Sequence, residues 1–302
     1  MTSLPPSMGR RIQGVEFGSV WQAACIDSWK AERFHVVSLN TSDEIAALET
    51  FASRVDFVEM PASHQRPLIT DFFDAIAKSS YELAGIINAD CLLIPGNKLG
   101  ERLAGSVDGL VMAERLNISQ TTMRPTGRHC FGFDAFFFKT ASLAAAERDD
   151  SWRIGDTWWD YWFPLSLHLA GVKLKTLPAP ILAHLDHDRA WSEQSWKENG
   201  QRLNKFLRAR TRGFRHRKLA AFVKEPLETE ADIPKLGFNI FHWLRSHEPL
   251  WCPEAGSMDD LLTRFFLSLS MPPPETIQCP VPVEPTPSSR LRNALGFFKR
   301  SK

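Results

Sequence analysis

Residues 83–95 read LAGIINADCLLIP. Leu83 to Asn88 is a short apolar run rich in isoleucine, and it suits a buried strand. It runs straight into Asp90. Ligands of open α/β sheets gather outside the carboxyl ends of strands, so a carboxylate delivered there is placed for chemistry. Aspartate also favours turns, and the alternative is a side chain that only caps one.

The alternation of short apolar runs with amphipathic segments extends outward from this stretch, over about 17–140, as in a sheet covered by helices. On the N-terminal side lie an amphipathic helix at 18–29, a strand at Phe34–Leu39 and a strand at Val55–Met60. Thr41 and Glu44 have capping-box spacing and open a helix to about Arg54. Pro67 suits the first position of another helix. On the C-terminal side the pattern predicts strands at Leu110–Ala113, Asp134–Lys139, Val172–Leu177 and Ile181–Leu185. A helix to about Ala170 and a basic helix over Ser192–Arg210 complete an α/β domain spanning 17–212, after a disordered 1–16.

Residues 213–271 read as a helical extension, with helices near 231–246 and 259–270. The segment 272–302 is predicted to be a disordered tail, because MPPPETIQCPVPVEPTP is too rich in proline to fold. Its end, SRLRNALGFFKRSK, places Leu291, Leu295, Phe297 and Phe298 roughly on one helical face among basic residues. That suits a weak membrane or protein contact, a frayed basic end being the alternative.

Lysine and arginine number 36 against 35 acidic residues, so no global field favours nucleic acid, and a charged ligand must be met locally. The five cysteines, at 25, 91, 130, 252 and 279, show no metal-ligand spacing and read as reduced thiols. MTSLPPSMGRR lacks the apolar core of a signal peptide, and no stretch approaches the roughly 20 apolar residues of a membrane span. A cytoplasmic location is the expectation. There is no HExxH and no nucleophile elbow, and MGRRIQGVEFGS at 8–19 only faintly resembles a Gly-rich phosphate loop.

Two polar clusters remain. His184-Leu185-Asp186-His187-Asp188 offers oxygen and imidazole groups to a divalent ion, and strand alternation would set His184, Asp186 and Asp188 on one face and His187 on the other. Polar residues bonded to backbone at a strand's rim are the alternative. WRIGDTWWDYW at 152–162 holds Asp156 and Asp160, four apart and on one face if helical, as candidate general bases. Its tryptophans suit either a core or a flat binding platform.

Four stretches occur in order: Gln22 to Trp29 with the strand and Asn40 that follow; GIINADCLLIP at 85–95; GFDAFFFK at 132–139; and IGDTWWDYW followed by AHLDHDRAW. Together they resemble a branch of the GT-A (fold-A) nucleotide-diphospho-sugar transferases over roughly residues 18–200. The resemblance implies an α/β, Rossmann-like mixed sheet with helices on both faces. It implies transfer of a sugar from a nucleoside diphosphate to an acceptor that the sequence does not identify. A divalent metal, Mn2+ or Mg2+, would neutralise the leaving diphosphate.

Carried onto this sequence, Ser28, Trp29, Asn40 and Asn88 lie near the nucleotide, and Asp134 and Trp158 meet the sugar. Asp90 is a metal or ribose ligand, His187 is a metal or diphosphate ligand, and Asp156 or Asp160 is the base. The family's two aspartates flanking one residue are replaced here by Asn88-Ala89-Asp90, and asparagine brings no charge, so metal affinity should fall. The alternative is a non-catalytic sugar-nucleotide-binding or scaffold protein that keeps the fold.

Overall fold

The computed structural model describes residues 1–12, 15–94, 98–120, 125–128, 132–187, 191–211, 216–223, 227 and 231–250. The helix expected at 259–270, the proline-rich tail and Asp188 lie outside the described residues. In chain order, a short hairpin, β1 (Arg11–Ile12) and β2 (Val15–Glu16), leads into α1 (Gly18–Ala31), β3 (Val37–Asn40), α2 (Ser42–Ala47), β4 (Asp56–Glu59) and α3 (Ile69–Ala77). Then come β5 (Leu83–Ile87), β6 (Cys91–Leu93), α4 (Leu99–Ser106), β7 (Leu110–Ile118), β8 (Pro125–Arg128) and β9 (Ala135–Lys139). α5 (Trp159–Leu169), β10 (Leu174–Leu185), α6 (Glu193–Arg210), α7 (Arg217–Ala220) and α8 (Asp232–Arg245) follow.

The main sheet has the order β5-β9-β7-β10-β6, with β8 against β7. β7 and β10 are parallel, whereas β9 and β6 run against their neighbours. β3 and β4 form a separate parallel pair. Met1 and Thr2 bridge the two sheets. The Met1 carbonyl accepts from Ile87 N at 3.0 Å, Thr2 N donates to Val37 O at 3.0 Å, and Leu39 N donates to Thr2 O at 3.0 Å. Thr2 and Leu4 are fully buried and Met8 is nearly so. The expected disordered 1–16 is therefore corrected: Met1 and Thr2 fill the strand position between β3 and β5, where backbone donors and acceptors would otherwise be left without partners.

Side-chain alternation gives this sheet two buried faces. Val111 and Ala113 of β7 and Ala135 and Phe137 of β9 enter one core, with Trp21, Cys25 and Trp29 of α1 and Leu99 and Leu103 of α4. Leu110, Met112, Phe136 and Phe138 enter the other, with residues of α3, α5, α6 and α8. This is the expected mixed sheet with helices on both faces. The two strands expected at 172–185 are one strand, irregular between Leu177 and Leu182, where Pro178 and Pro180 cannot donate to a ladder. The helix expected to reach Arg54 ends as α2 at Ala47 and continues only as a 3-10 turn over Glu49–Phe51. Among the described residues no helix is long and apolar enough to cross a membrane.

The tryptophan-rich segment is core. Trp152, Trp158, Trp159 and Trp162 are all buried. Trp158 precedes α5 in the left-handed region, at φ 71°, and its indole donates to the Trp196 carbonyl at 2.8 Å. The same indole lies over Gly200 of α6 and Gly237 of α8. A Cβ at Gly200 would stand 2.9 Å from the indole and 2.6 Å from the Ile233 methyl, and one at Gly237 would stand 3.1 Å from the indole. Trp158 takes the core alternative for this segment, its ring filling the space between two helices. Gly200→Ala is expected to cost about 1–3 kcal/mol by overpacking, and Trp158→Ala about 3–5 kcal/mol. Urea midpoints of the two variants check both values.

Candidate active site

β3, β4, the Met1–Thr2 segment, β5, β7 and β10 all point the same way, so their carboxyl ends share one edge with the amino ends of β6 and β9. Ligands of open α/β sheets collect at such an edge. Asp90 lies there, in the turn between β5 and β6. Its Oδ2 meets Arg10 Nη2 at 2.5 Å, His184 Nε2 at 3.0 Å and His187 Nε2 at 3.3 Å. His184 stands opposite Cys91 on β6 and Asn117 on β7. β10 ends at Leu185, so strand alternation no longer governs His187. Both imidazoles turn to one carboxylate, their ring centroids 4.9 Å apart, while Asp186 is exposed. The expected separation of His184 from His187 is corrected on that ground.

Burial alone would raise the Asp90 carboxyl, but His184, His187 and Arg10 outweigh it and hold the group well below the usual carboxylate range. Asp90 is ionised, hence an acceptor only, and this partner assigns the imidazole proton to Nε2. Burial lowers His184 below its ordinary 6.5, with Asp90 opposing, so this imidazole is neutral at neutral pH. Its Nδ1 is buried without a partner among the described residues.

α1 holds this turn in place. Trp21 donates its indole N–H to the Asp90 carbonyl at 2.9 Å, and Trp29 donates to the Cys91 carbonyl at 2.9 Å. Ser28 Oγ accepts from Leu93 N at 3.0 Å and donates to Cys25 O. Ser28 and Trp29, expected near a nucleotide, are buried framework residues. Asn40 is fully buried as well, donating to Leu4 O at 2.8 Å and to Glu44, and accepting from Ser38 Oγ. The physical reason is topological. Phe34–Leu39 contributes the strand beside Met1–Thr2, so the loop leaving that segment is the stretch that carries Arg10 to the edge.

A second group lies beside the first. Asp134 Oδ1 accepts from Asn88 Nδ2 at 2.7 Å and from Arg115 Nη1 at 2.8 Å. Its other oxygen is buried without a partner among the described residues. Arg115 also feels the charges of Asp90 and Asp186, so the two groups form one electrostatic unit. Asp160, in the first turn of α5, accepts from Phe133 N at 3.1 Å. Burial first, and then the nearby Asp134 charge, push its carboxyl up to about 7.

Asp156 does not share this face. α5 begins only at Trp159, and Asp156 is a partly exposed carboxylate paired with Arg66 at 3.0 Å. Asn88, Asp90, Asp134, Asp160 and His187 therefore come together. Ser28, Trp29, Asn40, Asp156 and Trp158 stand outside the group. Arg10 and Arg115 were not anticipated, and His184 was only one member of its cluster. The available signals were the arginines of MGRRIQGVEFGS and the polar Glu114, Arg115 and Asn117 in an otherwise apolar strand.

No protein-family model and no curated protein matches the sequence. Solved structures with a related arrangement include S. aureus TarS 1–349, at 10% identity over 78% of this chain and 80% of that one, TM-score 0.49. TarS 1–349 in complex with UDP-GlcNAc aligns at 9% identity over 88% and 80% of the two chains, TM-score 0.47. The mannosyltransferase PcManGT from Pyrobaculum calidifontis, in complex with GDP-Man and Mn2+, aligns at 13% identity over 89% and 80%, TM-score 0.45. Likeness at these scores transfers no ligand and no residue role.

Because Arg115 is the cation paired with the buried Asp134 carboxylate among the described residues, Arg115→Met is expected to destabilise the fold by about 3–5 kcal/mol. Adding Asp134→Asn should restore part of that loss. Urea unfolding of the single and double variants measures both steps.

Proposed function

We propose that the protein is a glycosyltransferase that moves a sugar from a nucleoside-diphosphate donor to an acceptor hydroxyl. The observation that carries this reading is the convergence of Asp90, His184 and His187 with Asn88, Asp134, Arg115 and Asp160 on the carboxyl edge of the sheet. The sequence resemblance of the same stretches to nucleotide-diphospho-sugar transferases supports it.

Asp90, His184 and His187 would hold a divalent cation. Their ligand atoms all lie within 4.8 Å of one another, Asp90 is ionised and His184 is neutral, and a cation would take its Nε2 once the imidazole proton moves to Nδ1. A mixed nitrogen and oxygen set suits Mn2+ better than Mg2+, which prefers oxygen. When bound, such an ion neutralises charge on a leaving diphosphate. Asp134, fixed by Arg115 and Asn88, keeps one oxygen free for a donor-sugar hydroxyl. Asp160 is the general base for the acceptor, since a carboxyl near 7 is matched to taking a proton at neutral pH, and Asp156 lies apart, paired with Arg66.

A non-catalytic sugar-nucleotide binder is the second reading. Asn88 favours it, because its amide is spent on Asp134 and brings no charge to the cation site.

Thermal-shift titration with nucleoside diphosphates and sugar nucleotides, with and without Mn2+, tests the proposal. Stabilisation by one nucleotide that requires Mn2+ and is lost in Asp90→Asn is the expected result. No stabilisation by any of them would overturn it, and binding without turnover would favour the second reading.

The raised Asp160 also fixes a pH dependence. Donor turnover as kcat/KM should rise with pH through about 7 as the base ionises. Asp160→Asn should lose that limb and about 10²–10⁴ of the rate. For stability the sign is opposite. The folded form keeps a proton up to about 7 that the unfolded chain, near 3.8, has released. Asp160 therefore contributes most below the unfolded value, and its contribution is lost as pH rises through the folded one. Urea midpoints of wild type relative to Asp160→Asn, taken across this window, should fall with rising pH.

A further inference from the structure

We propose that Arg10 is a tethered cation standing in the divalent-metal position at Asp90, so that metal and guanidinium compete for Oδ2. The inference rests on reading Asp90, His184 and His187 as a cation site, and it adds how that site is guarded.

Arg10 makes the shortest of the three contacts on Oδ2, at 2.5 Å. Its guanidinium is otherwise weakly held. Nη1 reaches only the adjacent Gly9 carbonyl at 3.1 Å, and Nε is buried without a partner among the described residues. No side chain other than Asp90 accepts from it among those residues. The backbone behind it is anchored, since Phe17 N donates to the Arg10 carbonyl at 2.8 Å. Among the described residues, the Asp90 ion pair is thus the main polar contact that holds this buried side chain in place.

A divalent ion on Oδ2 would lie within a few ångströms of the guanidinium, in a half-buried site where water screens poorly. One carboxylate cannot satisfy both cations at that distance. Once displaced, Arg10 has forked donors suited to phosphate oxygens and lies beside Asp90 at the same edge. Its charge then opposes metal entry in the empty site and meets the donor's diphosphate in the loaded one.

The test is direct Mn2+ binding to the full chain, followed by the paramagnetic resonance signal of the free ion, in wild type, Arg10→Gln and Asp90→Asn. Arg10→Gln is expected to bind Mn2+ roughly tenfold more tightly than wild type at low salt. Asp90→Asn is expected to lose the site. Arg10→Met, which keeps the apolar stem, replaces Arg10→Gln if thermal melts show that Arg10→Gln does not fold. Mn2+ binding by the neutral variant that is no tighter than wild type, while Asp90→Asn still loses it, overturns the Arg10 inference alone. Equal binding by wild type and Asp90→Asn, or no binding by any chain, overturns the cation site and the Arg10 inference together.

Discussion

Asp90 Oδ2 receives three nitrogen donors from two distant parts of the chain, and the carboxyl edge of the sheet is built around that contact. A carboxylate so placed needs opposite charge or hydrogen bonds to offset the water it has lost. Arg10 arrives from the loop after the first strand position, His184 from the end of β10 and His187 from just beyond it. Behind the carboxylate, Trp21 and Trp29 hold the carbonyls of Asp90 and Cys91. These few bonds tie the first thirty residues to the middle of the chain and to residues 184–187.

The neighbouring carboxylates have a different balance. Asp134 is neutralised by Arg115 and hydrogen-bonded by Asn88, whereas Asp160 has a backbone N–H and a negative neighbour in a poorly solvated place. Asp90 is thereby held low and Asp160 raised. Carboxyl groups whose environments separate them in this way divide the roles of charge carrier and proton acceptor within one site. The aromatic core supports the division. Trp158 packs on two glycines where α6 and α8 approach, and α5 begins directly after it, so the helix end that carries Asp160 is fixed by packing.

The strands, the two-sided burial of the sheet and the placing of Asp90 at a strand end were legible in residues 83–95 and their surroundings, because alternation and short apolar runs are local properties. Asp134 was read as the first residue of an aromatic strand, which begins one residue later, and its role came from the resemblance alone. Ser28, Trp29 and Asn40 were assigned to the nucleotide by resemblance, and the structure gives them framework bonds; a buried hydrogen-bonding residue and a ligand-binding one have the same composition and differ only in what faces them. Met1 and Thr2 were read as disordered because two residues carry no periodicity, although a slot between two strands orders them.

By itself, then, the sequence determined the mixed α/β sheet, the helices that flank it, and the few acidic and imidazole groups available for chemistry. Only the tertiary structure decided which of them meet. The strand's end after Leu185 brought His187 round to Asp90, the Met1–Thr2 insertion delivered Arg10, and the start of α5 at Trp159 turned Asp160 inward while leaving Asp156 with Arg66. Each depends on contacts between residues tens of positions apart. Side-chain periodicity carries no information across such separations, and the energy of a buried charge depends on its neighbours in space.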